Sequence, residues 1–116
     1  YNMLNRLRDT AQDVPGFDHI MYNNLGYKGG KEIVQMEAAK CTLANNYFDL
    51  NLQATDADFI SLDENLLTAP RKADGSLPDI DFMQLKSTSQ FIDKGKMIGF
   101  SFKGMAPDLG AFEVNK

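Results

Sequence analysis

The sequence contains one cysteine, Cys41, in 116 residues, so no disulfide can close within the chain and cysteine usage says nothing of redox compartment. No apolar run approaches the length that crosses a bilayer. There is no apolar signal segment and no initiator Met; the chain opens at Tyr1, and it is expected to be a fragment of a longer polypeptide. Basic clusters are missing too. Twelve Lys and Arg stand against 16 Asp and Glu, a net charge of −4, which argues against nucleic acid as a partner. With 43% hydrophobic residues, a chain of this length can bury one ordinary core.

What is present is a unit written twice. His19-Ile-Met-Tyr-Asn23-Asn24-Leu25-Gly26 aligns without a gap on Cys41-Thr-Leu-Ala-Asn45-Asn46-Tyr47-Phe48, an offset of 45 − 23 = 22 residues. That period belongs to stacked repeat folds. Met21 falls on Leu43 and Leu25 on Tyr47. One step back, Asn24 lands on Asn2 and Leu25 on Met3. A parallel coil must bend sharply between short strands; Asn tolerates the left-handed backbone region and bonds locally. Stacked in register, such side chains can bond one to the next. Asn2, Asn24 and Asn46 are therefore read as a structural ladder rather than as residues that recognise a sugar.

Along the chain, Asp9 to Gly16 carries turn chemistry in Asp13-Val-Pro15-Gly16. Phe17 to Tyr27 is expected to form strands around its Asn corner, closed by Gly29-Gly30. Glu32 to Lys40 mixes helix formers with strand-like alternation, and the repeat favours a strand. Phe48 to Ala54 alternates at period two and reads as a strand. Thr55-Asp-Ala-Asp58 is a helix-start signal, with a short helix expected over Phe59 to Leu67. Further strands are expected over Asp79 to Leu85, Ile98 to Phe102 and Leu109 to Val114. The division is thus coils of about 22 residues over 1–54 and a capping region with loops, a short helix and strands over 55–116. An open stack needs such a cap.

The Asn-Asn coils, Asp58-Phe-Ile-Ser-Leu-Asp63, Leu67 to Phe82, Phe91-Ile-Asp-Lys-Gly95 and Ala106-Pro-Asp-Leu-Gly-Ala-Phe-Glu113 resemble the carboxy-terminal end of right-handed parallel β-helix, pectate-lyase-like proteins, and most of all polysaccharide lyase family 9. The resemblance runs from about His19 to the end. It implies an all-β fold made of the last two to three coils of a right-handed parallel β-helix with an irregular cap. It also implies a secreted, periplasmic or bacterial cell-surface location and an acidic, pectate-like polysaccharide as the parent's partner. Such lyases cleave by β-elimination: calcium held by clustered aspartates acidifies a carbon-bound proton, which a lysine removes. The family's aspartate cluster lies upstream, and this chain has no Asp-Asp pair. Calcium is accordingly expected in the parent enzyme, with no metal and no catalytic residue in this chain.

Lys28 and Lys31 flank the double Gly and could meet a polyanion; Arg71 and Lys72 in a polar loop could do the same. These four are the candidate substrate contacts. Lys28 as a catalytic base has no clustered carboxylates near it in sequence. Asp79 and Asp81 would share a strand face but are too few for a calcium cage, and Asp56 and Asp58 most simply cap a helix. His19 and Cys41 align across repeats without a third orienting group. Tyr22, Tyr27, Tyr47 and Phe48 could stack on sugars if exposed, though repeat aromatics usually pack in a core. Three functions remain open: a non-catalytic cap of a lyase, a carbohydrate-binding module, and a calcium-dependent lyase. Self-association through the open N-terminal coil is a further expectation.

Overall fold

A computed structural model describes residues 4–6, 13–31 and 33–114. Among these there is no α-helix; the backbone is short strands, 3-10 turns and irregular chain. Strand β1 (Leu4–Arg6) pairs antiparallel with β2 (Asp13–Pro15). Strand β3 (Ile20–Tyr22) pairs parallel with β4 (Thr42–Ala44), in the register Ile20↔Thr42, Met21↔Leu43, Tyr22↔Ala44. Every pair in that ladder is 22 residues apart, as in the alignment of the two Asn-Asn units. Asn2, the first position in the expected ladder, lies outside the described residues.

Each Asn-Asn pair divides its work. The first member makes the bend: Asn23 and Asn45 hold φ of 59° and 54°, the left-handed region that Asn adopts more readily than most residues. The second member joins the two levels. Asn46 is fully buried, and its Oδ1 accepts from the backbone N–H of Asn24 at 3.0 Å and from Asn24 Nδ2 at 2.7 Å. Its Nδ2 donates to the Met21 carbonyl at 2.9 Å and to Asp49 Oδ2 at 2.6 Å. The Tyr47 N–H donates in turn to the Asn24 carbonyl at 3.0 Å. Such an amide meets the rule that a buried polar side chain must be hydrogen-bonded.

The rest of the chain closes over this pair. Phe59, Leu85, Phe91 and Leu109 are buried together with Tyr47. Phe91-Ile-Asp-Lys-Gly95 and Ala106-Pro-Asp-Leu109 lie side by side, with the Leu109 N–H on the Phe91 carbonyl at 3.1 Å and the Gly95 N–H on the Pro107 carbonyl at 2.6 Å. Glycine is required there, because a Cβ on residue 95 would stand 2.7 Å from the Pro107 oxygen. Segment 94–96 is held against both bends. Asn45 Nδ2 donates to the Lys94 carbonyl at 2.8 Å. Asn23 Nδ2 donates to the Lys96 carbonyl at 2.9 Å, and the Lys96 N–H returns a bond to Asn23 Oδ1 at 2.6 Å.

Several expected elements take other forms. Phe48 to Ala54 is a turn followed by irregular chain: the Asn46 carbonyl accepts from the Asp49 and Leu50 N–H groups, both at 3.0 Å, and Asn51 is left-handed at φ 52°. The helix expected over Phe59 to Leu67 is replaced by two 3-10 turns, Asp56–Asp58 and Glu64–Thr68. Phe59 leaves the first turn extended and enters the core, while Leu67 is exposed, so no apolar face sustains a helix. Asp79 to Leu85 yields only isolated bridges, Ser61↔Phe82 and Phe59↔Leu85, broken by Met83 at φ 55°. Val34 and Met36 form isolated bridges before a 3-10 turn at Ala38–Lys40, and Gln35 between them is left-handed. Neither Ile98 to Phe102 nor Leu109 to Val114 is a strand; Gly110 at φ 101° interrupts the second. Asp13–Pro15, read as part of a turn, is a strand.

The Asn46 contacts fix two stability outcomes. Asn46→Ala is expected to cost about 2–4 kcal/mol, since it leaves the Asn24 and Asp49 groups without their buried partner. Asn46→Asp keeps the shape but turns an oxygen toward Asp49 Oδ2 and the Met21 carbonyl; it should destabilise at least as much at neutral pH and recover partly in acid. Denaturant midpoints of the two variants at pH 7 and pH 4 test this, and two unchanged midpoints would remove Asn46 from its central place.

Candidate functional site

The candidate contacts separate into two places. Lys28 and Lys31 both line a cleft of about 500 Å³ with Leu25, Tyr27, Tyr47 and Gln53. Gly29 and Gly30 form part of its wall. Lys31 makes no ion pair with another described residue. Arg71 and Lys72 are not among the residues lining this cleft. Arg71 donates to the Gly75 carbonyl at 2.8 Å, closing its own turn, and Lys72 pairs with Asp79 at 2.7 Å.

Lys28 belongs to a surface cluster that the sequence did not announce. Its Nζ lies 2.9 Å from Asp56 Oδ1 and 5.0 Å from the centre of the Tyr27 ring, while the Tyr27 hydroxyl donates to the same Asp56 oxygen. The hydrogen bond to Asp56 raises the Lys28 pKa, with the carboxylate's charge adding to it. Asp56 is held below the ordinary aspartate range, by the Tyr27 hydrogen bond first and Lys28 second. The hydrogen bond to Asp56 likewise raises Tyr27. A lysine that removes a proton needs its pKa brought down toward the working pH, and the shift at Lys28 runs the opposite way.

The carboxylates are taken up by backbone and side-chain donors. Buried Asp58 accepts from the Thr55 N–H and hydroxyl, both at 2.9 Å, from the Ser89 hydroxyl at 3.0 Å and from Gln90. Buried Asp108 takes the Asp93 N–H at 2.8 Å and the Val114 N–H at 2.8 Å. Asp93 takes the Met105 N–H at 2.9 Å, and Glu113 takes the Asp108 N–H at 3.1 Å. Among the described residues no group of three or more His, Cys, Asp or Glu is placed to hold a metal ion. The donor set therefore does not fit the calcium that the resemblance attributes to the parent.

Two other groupings resolve similarly. His19 and Cys41 occupy matching levels, with the Thr42 N–H on the His19 carbonyl at 2.9 Å. Cys41 Sγ faces the Gly16 carbonyl at 3.8 Å, and His19 Nε2 is buried with no partner among the described residues. Tyr47 is buried, and Tyr27 stacks on Phe59 with ring centres 5.2 Å apart. The structural roles of Asp93, Asp108 and Glu113 escaped the sequence reading. The signal for them was available in the Asp residues of the two quoted motifs, which come to lie side by side.

Two short strands thus pair in parallel in a 22-residue register, with side-chain amides and carboxylates holding the backbone around them. The same chain matches the family described as rhamnogalacturonan lyase-like, C-terminal, over residues 37–110, and it belongs to that family. Pectate lyase L of Dickeya chrysanthemi is 37% identical over 101 residues, covering 86% of this chain and 23% of the relative. Pectate lyase L of Dickeya dadantii (strain 3937) is 36% identical, with the same coverage of 86% and 23%. Among solved structures, a rhamnogalacturonan lyase superposes with a TM-score of 0.64 at 41% identity, covering 75% of this chain and 22% of its own. Pectate lyase Pel9A superposes with a TM-score of 0.68 at 34% identity, covering 84% of this chain and 24% of its own. The chain spans about a quarter of the length of these relatives. No helix among the described residues is long and apolar enough to cross a membrane.

Asp58 gives this region a pH dependence. Burial raises its pKa, but the bonds from Thr55, Ser89 and Gln90 outweigh burial and leave it below the ordinary range. A folded pKa below the unfolded one stabilises fully above the unfolded value of about 3.9 and is lost as pH falls through the lower folded value. Asp58→Asn should cost about 2–3 kcal/mol at pH 7, with the gap to the unsubstituted chain narrowing below about pH 4. Denaturant melts across pH 2 to 7 read both; a constant gap would show that Asp58 is not the group titrating.

Proposed function

We propose that this chain forms the last coils and the C-terminal cap of a right-handed parallel β-helix polysaccharide lyase that acts on acidic, pectate-like polysaccharide, and that it supports the catalytic region without containing it. Residues 1–54 are the coils and 55–116 the cap, with Asn2, Asn24 and Asn46 as a ladder through the stack. The parent is secreted, periplasmic or on the cell surface. The observation that carries this reading is the 22-residue parallel register with Asn46 buried beneath Asn24, joined to segment 94–96, which clips onto both bends. The family's description as C-terminal supports it. So do the carboxylates, which hold backbone and leave no cluster of metal ligands among the described residues. Calcium chemistry, on this reading, belongs to residues elsewhere in the parent.

A second reading is favoured by one feature, the cleft beside Tyr27 with Lys28 and Lys31 on its wall, which would suit a carbohydrate-binding module. The two readings differ in what the isolated chain does. It is expected to release no unsaturated product from polygalacturonate or rhamnogalacturonan, with or without calcium, by ultraviolet absorbance. It is also expected to show no saturable binding to either polymer. Product formation would make the chain a lyase in its own right; saturable binding abolished by Lys28→Ala with Lys31→Ala would make it a binding module.

A further inference from the structure

Between segments 84–88 and 112–114 lies a hollow of about 560 Å³ that shares no lining residue with the cleft of Lys28 and Lys31. Buried Leu85 lines it together with Ile60 and Phe112, each 49% exposed. Its polar part is one turn. The Ser89 N–H closes on the Lys86 carbonyl at 2.9 Å, and Lys86, Ser87 and Thr88, all exposed, line the hollow. The frame around them is tied down: the Lys86 N–H sits on the Asp58 carbonyl at 2.9 Å and the Ile60 N–H on the Gln84 carbonyl at 2.8 Å. On the other side the Val114 N–H is held by Asp108 Oδ2 at 2.8 Å. A recess fixed by its own backbone has little ordering left to lose when a ligand enters.

Donors prevail in this recess. Lys86 Nζ, the Ser87 and Thr88 hydroxyls and the N–H groups of the same two residues make no hydrogen bond or ion pair with another described residue. Glu113, the one carboxylate among the lining residues, is occupied: its Oε1 takes the Asp108 N–H at 3.1 Å and its Oε2 the Lys103 N–H at 3.3 Å. An ammonium, two hydroxyls and two N–H groups on one turn suit a carboxylate, whose two oxygens accept several hydrogen bonds. Phe112 and Ile60 add the apolar wall that a ring lies against. Charge limits how much of an acidic chain fits. Lys86 matches one negative charge, whereas a run of uronate residues brings one carboxylate per ring, and the further charges would stand in the field of Glu113.

We infer that this hollow binds a single sugar acid, with the carboxylate on Lys86, Ser87 and Thr88 and the ring against Phe112. The class of ligand rests on the reading above, in which the parent acts on an acidic polysaccharide. A continuous chain of such rings is turned away, in keeping with the flat polymer titration expected of this chain. Sodium D-galacturonate added to this chain at constant ionic strength, followed by proton–nitrogen correlation NMR, tests it. Saturable shifts are expected at amides 84–88 and 112–114, with a Kd of about 1 mM for a ligand of this size. Lys86→Ala and Phe112→Ala should each weaken binding about tenfold and move the Tm by no more than about 1 °C, both side chains being exposed. Galactose, which lacks the carboxylate, and acetate, which lacks the ring, should each bind at least about tenfold more weakly. Shifts that survive both substitutions would overturn the inference, as would galactose or acetate binding as tightly as galacturonate. Saturable shifts at residues 26–31, lost in Lys28→Ala, would hand the ligand to the cleft and overturn it as well. The two claims fail separately: cleavage of polygalacturonate by this chain sinks the capping reading and leaves the hollow standing, whereas galacturonate shifts that stay linear sink the hollow alone.

Discussion

The buried amide of Asn46 constrains the structure more than any apolar contact does. Removing an amide from water without partners costs several kcal/mol, and all the partners that satisfy Asn46 come from fixed places: Asn24 and Met21 on the neighbouring level, Asp49 three residues on. Only one register supplies them. A slip of one residue between β3 and β4 would turn Met21 and Leu43 to the opposite face and carry the amide away from its acceptors. Hydrophobic burial alone would tolerate more alternatives, because Met, Leu and Ile exchange positions at modest cost. The polar contact makes the stacking specific.

The acidic residues follow the same logic. A chain with net charge −4 invites a search for metal ligands, yet its most buried carboxylates face donors of their own chain. Asp58 gathers the turn at Thr55 together with Ser89 and Gln90. Asp93, Asp108 and Glu113 tie the Phe91 motif to the closing motif. For Asp58, the bonds from Thr55, Ser89 and Gln90 outweigh burial and favour the ionised form without a cation nearby. Irregular chain has few ladder bonds of its own, and these side chains supply what a strand would obtain from its neighbour.

The parallel pairing was legible because its signal was a repeat: Met21 opposite Leu43 is the same correspondence that the gapless alignment makes. Elements inferred from alternation fared worse. Phe48 to Ala54 alternates, but Asp49 is the partner of Asn46, and that duty bends the chain into a turn. The start signal at Thr55 to Asp58 correctly marked a turn and wrongly implied a helix after it, since Phe59 is drawn into the core instead. Lys28 with Asp56, and Asn23 with Lys96, had no sequence signature at all. Contacts between residues so far apart arise from how the chain is wound, which local patterning does not encode.

The clip at the two bends also orders events in time. Asn45 reaches a carbonyl 49 residues ahead and Asn23 one 73 ahead, loops whose closure entropies differ by only about 0.4 kcal/mol. Neither fastening can be made until Lys94 and Lys96 have left the ribosome. A growing polypeptide therefore holds the Asn45 corner unfastened through the next 49 residues of synthesis and the Asn23 corner through the next 73.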